Sequence, residues 1–186
     1  MGLDLAFGLY RRRRALLRSW GLLDGQPRLL DIGCGIGQYA SLTSGEYLGV
    51  DLNCRYIEHA RRRRGDRRHE FRCVDAAKLV SEGERFDLVL MVDFLHHLPD
   101  ETAASVLVTA RRLTSGRVVV LEPVTEQHNR VGRWFIDNDR GEHMRIHASL
   151  LGLFERAGLD VEADEGLRLG PIATRAIRSG PAAPRS

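Results

Sequence analysis

The sequence predicts a three-layer α/β fold, in which a mostly parallel sheet carries helices on both faces. Two observations lead to this fold class. Short apolar runs alternate with helical stretches from Arg28 to Gly158, and one run, "RFDLVLMV", is apolar almost throughout, as in a strand buried on both faces. Strands that alternate with helices are joined by crossovers, which favour a parallel sheet. The length of 186 residues, 43% of them hydrophobic, suits a single domain.

The elements follow one another in a regular order. The first five predicted strands are "RLLDI", "EYLGVD", "HEFRCVD", "RFDLVLMV" and "RVVVLEP". Predicted helices lie between them: one behind the glycine-rich turn after the first strand, one capped by Asn53, and "PDETAASVLVTARRL" with Gly116 behind it. After Pro123 comes a polar stretch without a pattern, then the helix "ASLLGLFERAGL", which Gly158 should end. "LDVEAD" and "ATRAIRS" are the last two predicted strands.

Three segments organise the chain. Residues 1–27 are expected to form one amphipathic helix, with Leu5, Leu9, Leu16 and Trp20 facing the core. Residues 28–178 form the main domain, and residues 179–186 are expected to be a disordered tail.

The positive charge comes almost entirely from arginine, and Lys78 is the only lysine. The runs Arg11–Arg14 and Arg61–Arg64 fit either a nucleic-acid patch or solvated helix faces. The second interpretation is favoured, because no aromatic side chains interleave with the second run. No apolar run is long enough for a membrane helix, and the N-terminal basic cluster follows its apolar segment, the reverse of a signal peptide.

The three cysteines, Cys34, Cys54 and Cys73, are scattered and form no CxxC pair. This spacing predicts neither a disulfide framework nor a zinc site, and it favours a reducing, cytoplasmic location.

A glycine-rich loop follows the first strand in "LLDIGCGIGQYASL". Glycines at 33, 35 and 37 let the backbone approach a ligand closely, and a helix start behind them would offer free N–H groups. A dinucleotide site requires G-x-G-x-x-G, but Gln38 stands where the last glycine should be. The pyrophosphate fingerprint is therefore absent.

Two acids suggest another ligand. Asp51 ends the second strand, where a carboxylate can accept both hydroxyls of a ribose, and Asp75 ends the third, where it can accept an adenine amino group. In such a sheet, ligands bind beyond the carboxyl ends of the strands. Together the loop and the acids predict an adenosine site, with the glycine loop beside the group attached to the ribose. For each acid alone, helix capping is the structural alternative.

Five segments resemble, in order and spacing, the motifs of class I S-adenosylmethionine-dependent methyltransferases: "LLDIGCGIG", "GVDLN", "CVDAAKL", "FDLVLMVDFLHHLPDE" and "ARRLTSGRVVVLEP". The resemblance covers Leu29 to Gly158. It implies a Rossmann-like, seven-stranded sheet whose last strand is antiparallel, and S-adenosylmethionine as cofactor. The residues it implies are Asp31, Gly33 and Gly35 at the methionine end, Asp51 and Leu52 at the ribose, Asp75 and Ala76 at the adenine, and the backbone of Met91 and Val92 at the methionine moiety.

His96 and His97 follow the fourth strand, near the expected methyl donor. Histidine can take the proton that a hydroxyl or amine acceptor must lose, so this pair holds the candidate catalytic base, with His96 preferred. The alternative is that the pair only packs the site. A set of acids and histidines between Glu122 and His147 matches no metal-ligand spacing, and we expect no metal. "DRGEHMR", residues 139–145, either shapes the substrate pocket or is a surface turn.

The favoured function is methyl transfer to a small molecule, such as a biosynthetic or carrier-bound intermediate. Two alternatives stay open: an RNA methyltransferase, and a partner protein that binds the cofactor without turnover. Nucleic acid is the less expected partner, because no RNA-binding module is appended, and no membrane partner is expected. Only 27 residues precede the domain, so the site should be open. A large substrate, a carrier-bound substrate or a homodimer would suit such a site.

Overall fold

A computed structural model describes residues 8–126, 130–138, 141–169 and 172–181. Its seven strands form one sheet in the order β3-β2-β1-β4-β5-β7-β6. The strands are β1 Leu29–Ile32, β2 Tyr47–Asp51, β3 His69–Cys73, β4 Phe86–Val92, β5 Thr114–Pro123, β6 Leu159–Leu169 and β7 Ile172–Pro181. β1 to β5 pair in parallel, and β7 runs antiparallel to both of its neighbours. The predicted fold class, with its one antiparallel strand, is confirmed.

Helices pack on both faces of this sheet. They are α1 Leu9–Ser19, α2 Cys54–Arg64, α3 Ala76–Ser81, α4 Asp100–Leu113, α5 Arg130–Asp137 and α6 His147–Ala157, with short 3₁₀ turns at Ala40–Leu42 and Leu95–His97. One core cluster joins the sheet to α3, α4 and α6, and a second joins it to α1 and α2. β4 contributes to both clusters, which explains why its sequence is apolar without alternation.

Three features of the secondary structure differ from the sequence prediction. The glycine loop is followed only by a 3₁₀ turn, because the glycines at 33, 35 and 37 all adopt positive φ and hold the chain in turns. Gly116 does not end α4, since β5 begins directly at Thr114. The polar stretch after Pro123 contains α5, an eight-residue helix that its polar flanks obscured. Gly158, by contrast, ends α6 in the left-handed conformation, as predicted.

Both ends of the chain also differ in detail. α1 buries Leu16 as expected and Leu17 as well. Trp20 lies just beyond the helix, packs partly buried against the second core cluster and donates to Glu165. Leu5 and the side chain of Leu9 lie outside the described part of the chain. At the other end β7 continues to Pro181, so the first residues of the expected tail belong to the sheet.

A disulfide joins Cys54 to Cys73, and the expectation of no disulfide is therefore wrong. Parallel pairing of β2 with β3 places Asp51 opposite Cys73, which brings the start of α2 beside the end of β3. The two Cα atoms are 5.1 Å apart although the residues are 19 apart in sequence. Sequence spacing could not show this, because the proximity comes from strand order. Cys34 is buried and free.

Within the described ranges, none of the helices combines the length and the apolar character that crossing a membrane would require.

Candidate functional site

The glycine loop lies at the point where the strand order reverses between β1 and β4. Gly33 has φ 74°, and a Cβ there would collide with the ring of Phe94. Gly35 has φ 52°, and a Cβ there would face open space. A cavity of about 170 Å³ opens at this loop, and its lining residues are Asp31, Gly33, Cys34, Gly35, Ile36, Gln38, Tyr39, Val92 and Asp93. Open α/β sheets bind ligands at such a switch point.

Asp31 is the most deeply buried acid of this cavity, with 1% of its surface exposed. Burial raises the pKa of Asp31 to about 7; the Tyr47 hydroxyl, which donates to Oδ2 at 2.6 Å, opposes this shift, and the nearby charge of Asp51 adds to it. A cationic ligand group beside Asp31 would favour its ionised form. The cavity thus offers an acceptor suited to an ammonium group.

Asp51 is held firmly at the end of β2. Its Oδ2 accepts from the Gly35 amide at 2.9 Å, and its Oδ1 accepts from the Asn53 amide at 2.7 Å. Each carboxylate oxygen has a second lone pair, so both can still accept a ribose hydroxyl. Leu52, the next residue, is 72% exposed, so a ligand bound at Asp51 could contact its side chain.

Asp75 and Ala76 lie one strand further along the same edge, where β3 ends and α3 begins. Oδ1 of Asp75 accepts from the Ala77 amide at 2.8 Å, so the acid caps α3. The capping alternative is therefore present. It engages one carboxylate oxygen only, and a carboxylate has capacity for a further donor.

The structure brings most of the predicted cofactor residues together. Asp31, Gly33, Gly35 and Val92 line one cavity, and Asp51 is hydrogen-bonded to its loop. Met91 does not line this cavity: its side chain is fully buried in the core cluster that includes α4 and α6.

His96 is 4% exposed and is fixed by Glu122, which is 2% exposed. Its Nδ1 lies 2.6 Å from Oε2 of Glu122, while Oε1 accepts from the amides of Phe94 and Leu95, both at 2.6 Å. With Nδ1 directed to a carboxylate, Nε2 is the ring atom that can accept a proton. His97 is exposed, and its ring lies 4.2 Å from that of His96 between centroids. Glu122 itself was considered only as a metal ligand from the sequence.

Arg145 fixes the same loop from the other side. Its guanidinium donates to the carbonyls of Leu95 and Leu98 and to Asp100, at 2.6–2.8 Å. This end of "DRGEHMR" is thus buried and supports the loop after β4, whereas Asp139 and Arg140 lie outside the described residues.

The acids and histidines considered for a metal do not converge. His147 pairs with Asp164 at 2.6 Å, and Glu126 accepts from the His147 amide. In the ranges that the structure covers, no three His, Cys, Asp or Glu side chains form a group that could hold a metal ion, and His128 and Asp139 lie outside those ranges.

Arg13 is the site residue that the sequence did not reveal. It belongs to a run expected to be solvated, yet it is only 2% exposed. Its guanidinium forms a bidentate ion pair with the Asp93 carboxylate, with both N···O distances at 2.8 Å. It also donates to the Tyr39 hydroxyl at 2.7 Å. Burial alone would lower the pKa of Arg13, but Asp93 and Tyr39 outweigh it and the net shift is upward. Because Tyr39 and Asp93 line the cavity, α1 is anchored to the site itself.

A family model for a methyltransferase domain matches residues 6–164 of the chain. A curated relative, 27-O-demethylrifamycin SV methyltransferase of Amycolatopsis mediterranei (strain S699), is 30% identical in an alignment of 158 residues that covers 75% of this chain and 58% of the relative. The chain thus spans little more than half the length of that relative.

Several solved structures share the fold. One comes from work on the conversion of a disulfide bond into a thioacetal group during echinomycin biosynthesis. It has a TM-score of 0.74 and 18% identity, and the match covers all of this chain and 94% of the other. Magnesium protoporphyrin IX methyltransferase of Synechocystis PCC 6803, with bound SAH, has a TM-score of 0.72 and 18% identity, and the match covers 95% of this chain and 84% of that enzyme's chain. The [4+2]-cyclase SpnF has a TM-score of 0.71 and 20% identity, and the match covers 92% of this chain and 81% of the cyclase chain.

At these identities the solved structures show the fold alone. The family model covers most of the chain, and the sheet order and glycine loop agree with it. The chain therefore belongs to the methyltransferase domain family, among the class I S-adenosylmethionine-dependent methyltransferases.

Proposed function

We propose that this protein transfers a methyl group from S-adenosylmethionine to a small-molecule acceptor. The observation that carries the proposal is the cavity at the glycine loop, where Asp31, Gly35 and a rigidly held Asp51 stand in a row along one sheet edge. The residues present fit the cofactor: the space beyond Gly35 is open, and Leu52 is an uncovered apolar side chain beside the ribose acid.

In this proposal Asp31, Gly33, Gly35 and the backbone at Val92 hold the methionine end. Asp51 and Leu52 hold the ribose, and Asp75 and Ala76 hold the adenine. When bound, S-adenosylmethionine supplies a methyl group that its sulfonium charge already activates. The residues of this chain chiefly align the reactants and exclude water.

His96 is the proposed proton acceptor, through Nε2. Glu122 acts as a positioning residue, since its carboxylate holds both the imidazole and the two amides that precede it. His97 is the comparison residue, because it is adjacent to His96 and exposed.

The arginine runs give little support to an RNA substrate. Arg13 is buried in an ion pair, while Arg61 and Arg64 donate to the carbonyls of Phe71 and Ile36.

A homodimer is not required to cover the glycine loop, because α1 already packs beside it. Dimerisation stays a prediction, and light scattering in solution would test it. We also propose a cytoplasmic location, in keeping with the free thiol of Cys34.

A label-transfer experiment tests the function. The protein is incubated with S-adenosylmethionine carrying a tritiated methyl group, together with either the low-molecular-mass fraction of a cell extract or total RNA. We expect label in the small-molecule fraction and equimolar formation of S-adenosylhomocysteine. Label in RNA alone would support the RNA alternative. Cofactor binding without label transfer to either fraction would support the partner protein without turnover, a case that the cyclase with the same fold makes worth testing.

A further inference from the structure

The Cys54–Cys73 disulfide connects the two segments proposed to hold adenosine. Cys54 comes two residues after Leu52 and begins α2, and Cys73 ends β3, two residues before Asp75. One covalent bond thus links the ribose side of the site to the adenine side. The bond lies at the carboxyl edge of the sheet, where Cys73 also packs against the second core cluster.

The disulfide also fixes the ribose acid through short backbone links. The sulfur of Cys73 lies 3.6 Å from the carbonyl oxygen of Leu52. The next residue, Asn53, caps α2 and donates its amide to Asp51 at 2.7 Å. A displacement of Cys54 would therefore move Asn53 and alter the position of the Asp51 carboxylate.

The bond is open to reagents. Cys54 is exposed and Cys73 is half-buried, so a thiol in solution can reach the disulfide. The third cysteine does not compete, because Cys34 is buried and burial raises the pKa of its thiol. In the cytoplasmic location proposed above, disulfides are mostly transient or redox-sensing.

We propose that Cys54 and Cys73 form a reversible oxidation site that sets the affinity of the protein for its cofactor, with the disulfide form binding more tightly. The proposal rests on the adenosine site proposed above. In the reduction, a small-molecule dithiol gives two electrons and two protons to the disulfide. The products are two protein thiols and the cyclic disulfide of the reagent. The bond favours binding by keeping both segments in the bound arrangement beforehand.

Calorimetric titration of S-adenosylhomocysteine into oxidised protein and into protein reduced with dithiothreitol tests the proposal. We expect reduction to weaken affinity by about 5- to 20-fold, within the usual range of coupling between two sites. Linkage requires the reverse effect: saturating S-adenosylhomocysteine should shift the dithiothreitol exchange equilibrium toward the protein disulfide by the same factor. A disulfide with only a structural role would leave that equilibrium unchanged.

The variant Cys54→Ser/Cys73→Ser is the matched control. It should bind S-adenosylhomocysteine like reduced wild-type protein and show no response to dithiothreitol. Equal affinities of oxidised and reduced wild-type protein would overturn the proposal without the need for any variant to fold. Absence of binding in both states would instead overturn the adenosine site, and the oxidation proposal with it.

Discussion

At the scale of single residues, Asp31 combines full burial with a place in the cavity at the glycine loop. Its folded-state pKa of about 7 lies above the ordinary value of 3.8. Between those two pH values the unfolded chain has released the proton while the folded protein still holds it. Asp31 therefore lowers the free energy of unfolding as pH rises through this window, and the loss is complete above pH 7.

The variant Asp31→Asn removes this titration, while its amide oxygen can still accept from Tyr47. Between pH 5 and pH 8 the free energy of unfolding of wild type should fall by about 2–3 kcal/mol more than that of Asp31→Asn. Urea unfolding of both proteins at the two pH values measures this difference. A difference between them that does not change with pH would contradict the assignment.

The His96–Glu122 pair gives the second prediction at this scale. If Nε2 of His96 accepts the proton, His96→Ala should lower kcat by about 10²- to 10⁴-fold and leave the affinity for S-adenosylhomocysteine nearly unchanged. Glu122→Gln should lower kcat less, since it keeps the shape of the side chain but weakens its hold on the imidazole. Steady-state kinetics with the acceptor found by label transfer measures both effects.

His97→Ala is the control for this pair and should retain most of the activity. The opposite pattern, a loss at His97 with normal turnover of His96→Ala, would make His97 the base. A loss of stability and cofactor affinity in His96→Ala, with kcat preserved, would leave His96 as a packing residue only.

At the scale of elements, α1 is anchored by one buried guanidinium. Arg13→Ala removes the ion pair with Asp93 and the bond to Tyr39. Asp93 is partly exposed and can be hydrated again, so the free energy of unfolding should fall by only about 1–3 kcal/mol. Arg11→Ala, on the exposed side of the same helix, should change it by about 0.5 kcal/mol or less. Chemical unfolding compares the two variants, and equal losses would contradict the anchoring role.

Elements whose pattern is local were predictable from the sequence. β4 and α4 show their periods directly, and Asn53 caps α2 as its position indicates. Elements set by tertiary contacts were not predictable. Arg13 is identical in type to the other arginines of its run, and only the packing of α1 against Asp93 distinguishes it. α5 is short and lies within polar flanks.

At the scale of the whole molecule, the strand order explains both the successes and the failures. The acids at 31, 51 and 75 could be placed at one edge of the sheet from the sequence, because each lies near the carboxyl end of a recognisable strand and parallel strands end at one edge. The Cys54–Cys73 bond, the His96–Glu122 pair and the Arg145 contacts depend on which strands and loops become neighbours. That information is not present in the spacing of residues along the chain.

The central claim is that the sheet edge between Asp31 and Asp75 binds S-adenosylmethionine. Calorimetric titration of S-adenosylhomocysteine into wild type, Asp51→Ala and the exposed control Asp24→Ala tests it most directly. We predict saturable binding to wild type and to Asp24→Ala. In Asp51→Ala the free energy of binding should be weaker by about 1–3 kcal/mol, because the ribose hydroxyls lose a charged acceptor. No heat with wild type at millimolar ligand, or equal affinity in Asp51→Ala, would contradict the claim.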